Sequence, residues 1–390
     1  MPRETGRYNI TKIGDETVKA FVPHPLPPTG PPLTIEGDLA ELLAAANAAV
    51  ARVEVAGYMV PSTHWFLYGF IRKEAVISSQ IEGTQATLRD VLAFEATHST
   101  RQPDDVEEIC NYVAALNYAR TEITRPKGLP MCTRLLCEVH RRLMAGTRGA
   151  EKRPGEIRSS QNWIGGNRPG TAKFVPPPPH LVRPAMSDLE KWIHAPSPLP
   201  LLVRAGLAHV QFETIHPFLD GNGRVGRLLI TLLLEHWGLL SSPLLYLSLA
   251  FKRHRAEYYR HLSEVRTAGD WEGWTAFFLE CVQESADDVV DTARQLSELL
   301  NRQRRQLTNN PVATLPAIRL LDLLPEHPFL TLPLASRLLG VSKPTVIKAL
   351  KALQDTGILR ESTGKRRDRV YAYHDYLHVL THDTELGGNP

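Results

Sequence analysis

The chain has 390 residues, 43% of them hydrophobic and 22% charged, which is the composition of an ordinary globular protein of two or three domains. Its formal net charge of +3 excludes a strong overall field that would attract nucleic acid or a membrane surface, so any basic function must be local. The longest apolar run, residues 228–234, is far shorter than the roughly 20 residues that a membrane-spanning helix needs.

The start of the chain and the cysteines indicate a cytoplasmic protein without a membrane partner. The first residues lack the apolar stretch of a secretory signal peptide. The four cysteines have no metal-ligand spacing and fall in segments with a helical pattern: Cys110, Cys132, Cys137 and Cys281. We therefore expect free thiols in a reducing compartment.

The first 150 residues predict mainly helices. The proline-rich stretch 22–33 is expected to be extended, because proline restricts the backbone. Apolar residues then recur at steps of three and four, which is the helical period. The predicted helices begin at Asp38, at Trp65, after Gly83, at Pro103 and at Cys132. Before the third of them, Thr87 and Asp90 have the spacing of a capping box.

Turn-forming residues dominate the segment 153–179. Two short apolar pieces, Asn162-Trp163-Ile164 and Lys173-Phe174-Val175, lie between glycines and prolines. This pattern predicts a small β-hairpin or an ordered loop. Helices then resume over residues 202–215, 224–239, 254–266 and 271 to about 307.

The residues Asn309-Asn310-Pro311 break the last long helix and predict a domain boundary. Beyond them the pattern predicts three helices and then a charged hairpin, with bounds near 317–324, 334–339, 343–356 and 358–373. Gly340 lies in the turn between the second and third of these helices. A helix, a turn, a second helix and a basic hairpin are the layout of a winged helix-turn-helix.

The segment 216–227 combines features of a phosphate-binding site. Its helical part is apolar on most sides, yet Arg224 and Arg227 lie one turn apart on one face. Buried guanidinium groups are costly unless they pair with an anion. The preceding residues Gly221-Asn222-Gly223 lead into the helix, and such a turn can bind an anion through its backbone N–H groups.

Two residues upstream of this turn add a base and a metal ligand. His216 ends the preceding helix before Pro217, and a histidine can accept the proton of an attacking hydroxyl near neutral pH. Asp220 is suited to hold Mg²⁺, which would bridge phosphate groups. Phe218 is expected to fix the loop in the core. Together these residues predict a phosphate-transfer site.

Other interpretations of the same residues remain open at this point. A histidine at a helix end, or an isolated Gly-Asn-Gly turn, usually has only a structural role. His209, Glu213 and His216 share one helical stripe and could bind zinc. The zinc hypothesis gives no purpose to the two arginines and the glycines, so phosphate transfer is favoured.

The twelve residues 216–227 resemble the signature of the Fic family, HPFx(D/E)GNGRxxR, at every defined position. The resemblance covers about residues 30–300, because 161–166 and 174–179 also look like the flap of that family. It implies a mainly α fold, namely a Fic helical bundle with a small β-hairpin flap, here followed by the winged helix-turn-helix domain. The expected domains are an N-terminal helical Fic-associated region with an inhibitory helix (1–100), the Fic catalytic domain (101–308) and the winged helix-turn-helix domain (309–390).

The resemblance implies a protein adenylyltransferase that moves AMP from ATP to a serine, threonine or tyrosine hydroxyl of a target protein. It assigns the base to His216 and the Mg²⁺ ligand to Asp220. The residues it assigns to the nucleotide are Gly221, Asn222, Gly223, Arg224, Val225, Gly226, Arg227 and Tyr259. Doc-type kinases of the superfamily carry lysine at the position of Gly223 and turn the nucleotide around, so glycine favours AMP transfer. Transfer of UMP or phosphocholine by the same core remains an alternative.

The resemblance also implies a docking site and a brake. In the family, the target pairs as a strand with the flap, here near residues 162–177. Residues 78–83 resemble the inhibitory pattern [S/T]xxxE[G/N], with Ser78 and Glu82 at its defined positions. Glu82 would then pair with Arg227 and keep it from the γ-phosphate. The alternative for Glu82 is a solvated charge at a helix end, and in some relatives this glutamate also supports removal of AMP.

The C-terminal region predicts a partner of its own. Lys343 and Lys348 lie at the start of the second helix, where base contacts are usually made, and residues 365–369 make a basic wing. These features suggest DNA, but winged helices also serve as protein docks or dimerisation modules, so a protein partner or a homodimer is an alternative. The rival function is a DNA-binding transcriptional regulator with a Fic-like sensor domain. The intact motif argues against a relic.

Overall fold

The computed structural model describes residues 3–13, 15–60, 62–146, 151–311, 313–382 and 384–385, and it is mainly helical. The helices of this part, in chain order, are α1 (Asp38–Met59), α2 (Thr63–Ile81), α3 (Leu88–Thr97), α4 (Pro103–Thr124), α5 (Thr133–Leu143), α6 (Pro179–His194), α7 (Leu201–Ile215), α8 (Asn222–His236), α9 (Ser248–Arg253), α10 (Arg255–Ala268), α11 (Trp271–Thr308), α12 (Leu315–Leu323), α13 (Leu332–Leu339), α14 (Lys343–Asp355) and α15 (His374–Leu380). The strands are β1 (Gly6–Ile13), β2 (Glu16–Pro23), β3 (Phe329–Thr331), β4 (Arg360–Glu361) and β5 (Val370–Ala372). Within the described residues, no helix is both long enough and apolar enough to cross a membrane.

The chain forms two compact units, and each unit is made of two separate segments. Unit 1 contains Met1–Ala51 and Asn111–Ala286, and unit 2 contains Arg52–Cys110 and Asp287–Pro390. The sequence predicts domains in simple chain order, with boundaries after residues 100 and 308. Those boundaries remain a prediction.

The centre of unit 1 is the pair of helices α7 and α8. Nearly every residue of α7 is buried, and α8 is buried from Asn222 to Leu234 with the exception of Gly223. A helix that is apolar on all sides must be covered on all sides. The expectation that the helix after Gly223 is buried on most sides is confirmed. Helices α5 and α6 pack against this pair.

The N-terminal residues differ from the prediction. The sequence analysis expects a helical region over residues 1–100, but β1 and β2 form an antiparallel hairpin paired from Gly6↔Pro23 to Ile13↔Glu16. Alternation of apolar and polar residues favours strands, as do β-branched residues, and this stretch has both features. The side chains of Val18 and Ala20 on β2 are buried against Val175, which is why this stretch is held as a strand.

The segment 153–179 is an ordered loop with little regular structure. Its two apolar pieces meet at one antiparallel bridge, in which Ile164 and Phe174 exchange two backbone hydrogen bonds of 2.8 and 3.1 Å. A single 3-10 turn, Pro169–Thr171, lies between them. The N–H of Phe21 on β2 donates to the carbonyl of Val175 at 2.8 Å, so the N-terminal hairpin is hydrogen-bonded to the end of this loop.

In unit 2, the C-terminal elements follow in the order helix α12, strand β3, helices α13 and α14, and strands β4 and β5. The three strands form an antiparallel sheet in the order β3-β5-β4. Helix α14 packs against α12 and α13. This succession agrees with the predicted layout, and the assignment as a winged helix remains a prediction.

Helix α2 also belongs to unit 2, where it packs against the C-terminal helix α15. The rings of Trp65 and Tyr376 lie 6.2 Å apart. A Cβ atom at Gly69 would lie 3.1 Å from the side chain of Leu380, so the two helices are in close contact. The side-chain amide of Gln80 donates to the carbonyl of Ala86 at 3.1 Å and to that of Thr384 at 3.2 Å. The predicted capping box that follows is confirmed: Thr87 caps α3, and Asp90 bonds back to its N–H.

All four cysteines carry free thiols. Cys281 is buried and the other three are half-buried. Burial raises the pKa of the Cys281 thiol, which keeps it protonated and unreactive near neutral pH.

Candidate active site

The turn after α7 places His216 in an unusual backbone conformation. His216 has φ 50° and ψ 62°, in the left-handed region that non-glycine residues rarely adopt, and such strain clusters at functional sites. Its N–H donates to the carbonyl of Phe212 at 2.9 Å and ends the helix. The ring is half-buried, and Nδ1 lies 3.4 Å from the carbonyl oxygen of Glu213. The neutral ring that donates there presents Nε2 as a proton acceptor.

The loop between His216 and α8 is closed by Asn222. Its Oδ1 accepts the N–H of Phe218 at 2.9 Å, and its Nδ2 donates to the carbonyl of the same residue at 2.8 Å. Asn162 from the ordered loop donates to that carbonyl as well, at 3.0 Å. The side chain of Asn222 is therefore used to shape the loop. Phe218 is buried, as expected from the sequence.

Gly221 begins α8 in a position that only glycine fits. Its φ is 73°, and a Cβ atom there would lie 2.9 Å from the sulfur of Met144. The first helical hydrogen bond runs from the N–H of Val225 to the carbonyl of Gly221, at 3.1 Å. The N–H groups of residues 222–224 thus lie in the first turn, where a helix offers donors and positive potential to an anion.

Arg224 and Arg227 are both buried in unit 1, with 4% and 3% of their surfaces exposed. The guanidinium of Arg224 lies 3.4 Å from the sulfur of Met144 and 4.0 Å from Oδ1 of Asp220. Buried cations next to a helix N-terminus are suited to a phosphate chain. Val225 and Gly226 instead pack in the core: a Cβ at Gly226 would lie 2.2 Å from Oε1 of Glu213.

The carboxylate of Asp220 fits a magnesium ligand. Its side chain is 49% exposed beside the first turn of α8, and its Oδ1 accepts the N–H of Gly221 at 2.6 Å. Mg²⁺ prefers carboxylate oxygen, and usually binds through one or two protein carboxylates, water and substrate phosphates. One accessible carboxylate at an anion-binding turn meets that need.

The zinc hypothesis is not supported by the position of His209. Its Nδ1–H donates to the carbonyl of Gly226 at 2.9 Å, and its Nε2 accepts from the hydroxyl of Tyr258 at 2.8 Å. A metal could bind only if one of these buried bonds broke. Among the described residues, the group that could hold a metal is a different one, His261, Glu264 and Asp270. There Glu264 already accepts from Arg260 at 2.8 Å.

Tyr259 lies on α10, next to the buried Tyr258. Its side chain is 43% exposed, and the guanidinium of Arg255 lies 5.3 Å from its ring centroid. An accessible aromatic face could stack on a nucleotide base. Its assignment to the nucleotide remains a prediction.

Two residues that the sequence analysis does not single out support the loop 216–221, named here the catalytic loop for its predicted role. Arg158 is buried and donates from Nε to the carbonyl of His216 at 2.9 Å, while its own N–H donates to Pro217 at 2.9 Å. Burial lowers the pKa of Arg158 to about 10. His140 on α5 stacks on Phe218, with the ring centroids 3.9 Å apart. The groups that Arg158 and His140 contact are distant from them in sequence, so no local spacing marks these two residues.

The segments that carry this site match models of a known protein family. The family model described as Fic/DOC family N-terminal matches residues 40–121, and the one described as Fic/DOC family matches residues 130–234. These two parts of the chain are Fic/DOC family domains. The second match contains His216, Asp220, Arg224 and Arg227.

Curated relatives agree with this assignment, and solved structures agree with the fold. The chain is 32% identical over 235 residues to protein adenylyltransferase Fic of Culex quinquefasciatus and 30% identical to that of Aedes aegypti; each match covers 58% of this chain and 44% of the relative. The chain thus spans less than half the length of these relatives. A Fic family protein from Desulfovibrio desulfuricans has a similar fold, with a TM-score of 0.56 at 22% identity over 88% of this chain and 98% of its own. Fic-1 from C. elegans gives 0.52 at 21% identity over 65% and 72%.

The residues that resemble the inhibitory pattern of the family lie in unit 2. Ser78 is fully buried in α2. Glu82 is the C-cap of that helix, is exposed, and donates its N–H to the carbonyl of Ser79 at 3.0 Å. Arg227 belongs to unit 1. The pairing of Glu82 with Arg227 remains a prediction.

Proposed function

We propose that this chain is a protein adenylyltransferase, which transfers AMP from ATP to a serine, threonine or tyrosine hydroxyl of a target protein. The observation that carries the proposal is the position of His216. It lies in a strained turn directly before the N-terminus of α8, whose first turns hold two buried arginines. A base, an anion-binding turn and two cations are the parts that nucleotidyl transfer needs.

The chemical step follows from these parts. The hydroxyl oxygen of the target attacks the α-phosphorus of ATP, and the bond from that phosphorus to the oxygen bridging to the β-phosphorus breaks. Nε2 of His216 accepts the hydroxyl proton, and pyrophosphate leaves. The N–H groups of residues 222–224 and the guanidinium groups of Arg224 and Arg227 bind the β- and γ-phosphates. Mg²⁺ held by Asp220 would neutralise phosphate charge.

Gly223, which has no side chain, favours the orientation of ATP that leads to AMP transfer. It lies in the first turn of α8 and is half-buried, so its backbone N–H can approach a phosphate without steric hindrance. A lysine there would add a cation and change how the phosphates bind. Tyr259 would contact the base. Transfer of UMP is the alternative within the same chemistry.

The target protein would bind along the ordered loop, near residues 162–177. Trp163 and Ile164 are large apolar side chains that are exposed there. The bridge between Ile164 and Phe174 holds the loop extended, so it can pair with an extended peptide. The free thiols favour a reducing compartment such as the cytoplasm for this encounter.

We further propose that Glu82 restrains the enzyme by pairing with Arg227. A carboxylate forms a strong bidentate pair with a guanidinium, and Arg227 could then not bind the γ-phosphate. The support is the resemblance of residues 78–83 to the family pattern and the match of residues 40–121 to its N-terminal region. The position of Glu82 at the end of α2 leaves its side chain accessible.

One labelling experiment tests both proposals. The purified chain is incubated with ATP labelled at the α- or the γ-phosphate, with UTP as a parallel donor, in the presence of a lysate. We expect label from the α position only, a several-fold increase with Glu82→Gly and none with His216→Ala. Label that enters from the γ position alone would contradict AMP transfer. A Glu82→Gly variant no more active than the parent would contradict the brake and leave the transfer intact.

DNA binding by the C-terminal elements is a second candidate function. Exposed basic residues lie at the start of α14 and in the hairpin between β4 and β5: Lys343, Lys348, Lys365, Arg366, Arg367 and Arg369. Basic side chains on a helix N-terminus and a neighbouring hairpin can contact phosphates on two faces of a groove. The same surface could bind a protein or a second copy of the chain.

Fluorescence anisotropy of duplex DNA with the full chain, from 50 to 200 mM salt, tests this function. We expect the double variant Arg366→Ala/Arg367→Ala to weaken binding and to reduce the slope of log K against log salt by about 2, since each lost phosphate contact removes about 0.9. Arg319→Ala is the matched control, because Arg319 is exposed on α12 outside the wing. A double variant that behaves like this control would overturn the DNA hypothesis.

A further inference from the structure

The two ring nitrogens of His140 bond to two different loops, namely the loop that contains Gly155 and the catalytic loop, which contains Asp220. The ring is fully buried in unit 1. The N–H of Gly155 donates to Nδ1 at 2.8 Å, so Nδ1 carries no proton. The proton lies on Nε2, which donates to the carbonyl oxygen of Asp220 at 3.0 Å. The hydrogen bonds thus fix one tautomer of a neutral ring.

The ring also makes a parallel stack within the same loop. It lies on Phe218 with 3.9 Å between centroids and 3° between the ring planes. Its Cδ2 and Nε2 would be 3.5 Å from a Cβ atom at Gly221, so the ring packs against the start of α8 as well. One side chain therefore contacts three residues of the loop, namely Phe218, Asp220 and Gly221.

We propose that His140 is a positioning residue that holds the backbone of Asp220, and through it the carboxylate assigned to Mg²⁺. A hydrogen bond to the carbonyl of Asp220 fixes the peptide plane that carries the Cα atom of this residue. Outer residues of this kind orient metal ligands and sustain metal affinity. The inference rests on the proposed function for the assignment of Asp220 as the Mg²⁺ ligand. The contacts of His140 do not depend on that assignment.

Two substitutions separate the hydrogen bonds of His140 from its packing. His140→Gln offers an amide oxygen to Gly155 and an amide N–H to Asp220, but it cannot stack as a ring. His140→Phe keeps an aromatic ring against Phe218 and loses both hydrogen bonds. The matched control is His194→Phe, because Nε2 of His194 also donates to a backbone carbonyl, that of Met131 at 2.6 Å, away from the catalytic loop.

The readout is the binding of Mn²⁺, as a probe for Mg²⁺, with a non-hydrolysable ATP analogue, measured by electron paramagnetic resonance in the Glu82→Gly chain. We expect His140→Phe to weaken Mn²⁺ binding about 10-fold, the effect typical of a lost outer-shell hydrogen bond. His140→Gln should stay within about threefold of the Glu82→Gly parent, as should His194→Phe.

The outcomes distinguish the inference from the proposed function. If His140→Phe does not weaken Mn²⁺ binding, the positioning role is overturned, because packing alone would then suffice. Equal weakening by His140→Gln and His140→Phe overturns it as well, because the hydrogen bonds that Gln retains would then give no protection. If His140→Phe does not fold, as judged by circular dichroism, His140→Gln still decides: Mn²⁺ affinity as low as that of Asp220→Ala contradicts the inference. A Glu82→Gly chain that binds Mn²⁺ and the analogue but transfers no AMP contradicts the proposed function alone.

Discussion

Gly221 and Gly238 both adopt the left-handed backbone conformation, with φ of 73° and 70°, but their surroundings differ. A Cβ atom at Gly221 would lie 2.9 Å from the sulfur of Met144, whereas one at Gly238 would meet nothing within 4 Å. The two positions share the backbone cost of an L side chain and differ in steric contact. They therefore allow the effect of the contact to be measured separately.

We expect Gly221→Ala to abolish AMP transfer and Gly238→Ala to leave it unchanged. Both substitutions should lower the free energy of unfolding by about 1–2 kcal/mol for the left-handed conformation. At Gly221, the new methyl group must also push Met144 or the first turn of α8, which misplaces the N–H groups that bind phosphate. Urea denaturation and the α-label assay check these expectations. An active Gly221→Ala chain would show that the turn is not the phosphate site.

At the residue scale, the motif could be predicted because its members are close in sequence. His216 to Arg227 form one turn and one helix start, so residue type and spacing alone indicate their chemistry. His140 and Arg158 could not be found in this way. They act on the backbone carbonyls of Asp220 and His216, 80 and 58 residues further on, and a carbonyl leaves no mark in a sequence.

A buried side-chain amide lies near the C-terminal end of α2. The side chain of Gln80 donates to the carbonyls of Ala86 and Thr384, both within unit 2. It thereby links the end of α2 to the last described residues of the chain. Two residues further on lies Glu82, so this link anchors the helix that carries the proposed brake.

We expect Gln80→Ala to lower the free energy of unfolding by about 1–3 kcal/mol, because two buried carbonyls lose their donor. Amide hydrogen exchange of residues 76–82 should accelerate, and AMP transfer should rise if the brake is correct. The control is Gln85→Ala: Gln85 is exposed, its side-chain amide donates to the carbonyl of Gly83, two residues away, and its backbone N–H, which donates to Asp105, is kept in the variant. Exchange rates equal in both variants would show that Gln80 does not anchor α2.

At the element scale, the strength of the local pattern decided what could be predicted. Helix α11, which has a clear apolar period, and helix α7, which is apolar on nearly all sides, were predicted to within a few residues. The hairpin β1–β2 was missed because its buried face is short and rests on Val175, more than 150 residues away. The loop 153–179 was predicted as a hairpin or an ordered loop, and the structure has one bridge because prolines on either side cannot extend the ladder.

At the scale of the molecule, the two units combine segments that are distant in sequence. Helices α2 and α3 pack with the C-terminal elements, as the contacts of Gly69 with Leu380 and of α3 with β3 illustrate. The first of these contacts joins residues 311 positions apart, and composition or linker signals do not reveal such contacts. Dividing the chain at prolines and polar turns can therefore give only domains that are continuous in sequence.

The stability of unit 1 should depend on pH through two buried histidines. Burial lowers the pKa of His209 to about 3 and that of His140 to about 4, and neighbouring Arg227 and Arg224 act in the same direction. In the unfolded chain these rings titrate near 6.5. Between the folded and unfolded pKa values, the unfolded chain binds more protons, so stability falls as pH decreases. The contribution is complete above pH 6.5 and is lost progressively below it.

We expect the free energy of unfolding to fall by about 2 kcal/mol per histidine between pH 7 and pH 5. Urea denaturation followed by tryptophan fluorescence at both pH values measures this change. His209→Gln should retain a donor for Gly226 and an acceptor for Tyr258 without titrating, so the difference between the two pH values should shrink by about 2 kcal/mol. Because the comparison uses the slope with pH, a general loss of stability in the variant does not disturb it. An unchanged slope would mean that His209 is not held neutral between α7, α8 and α10.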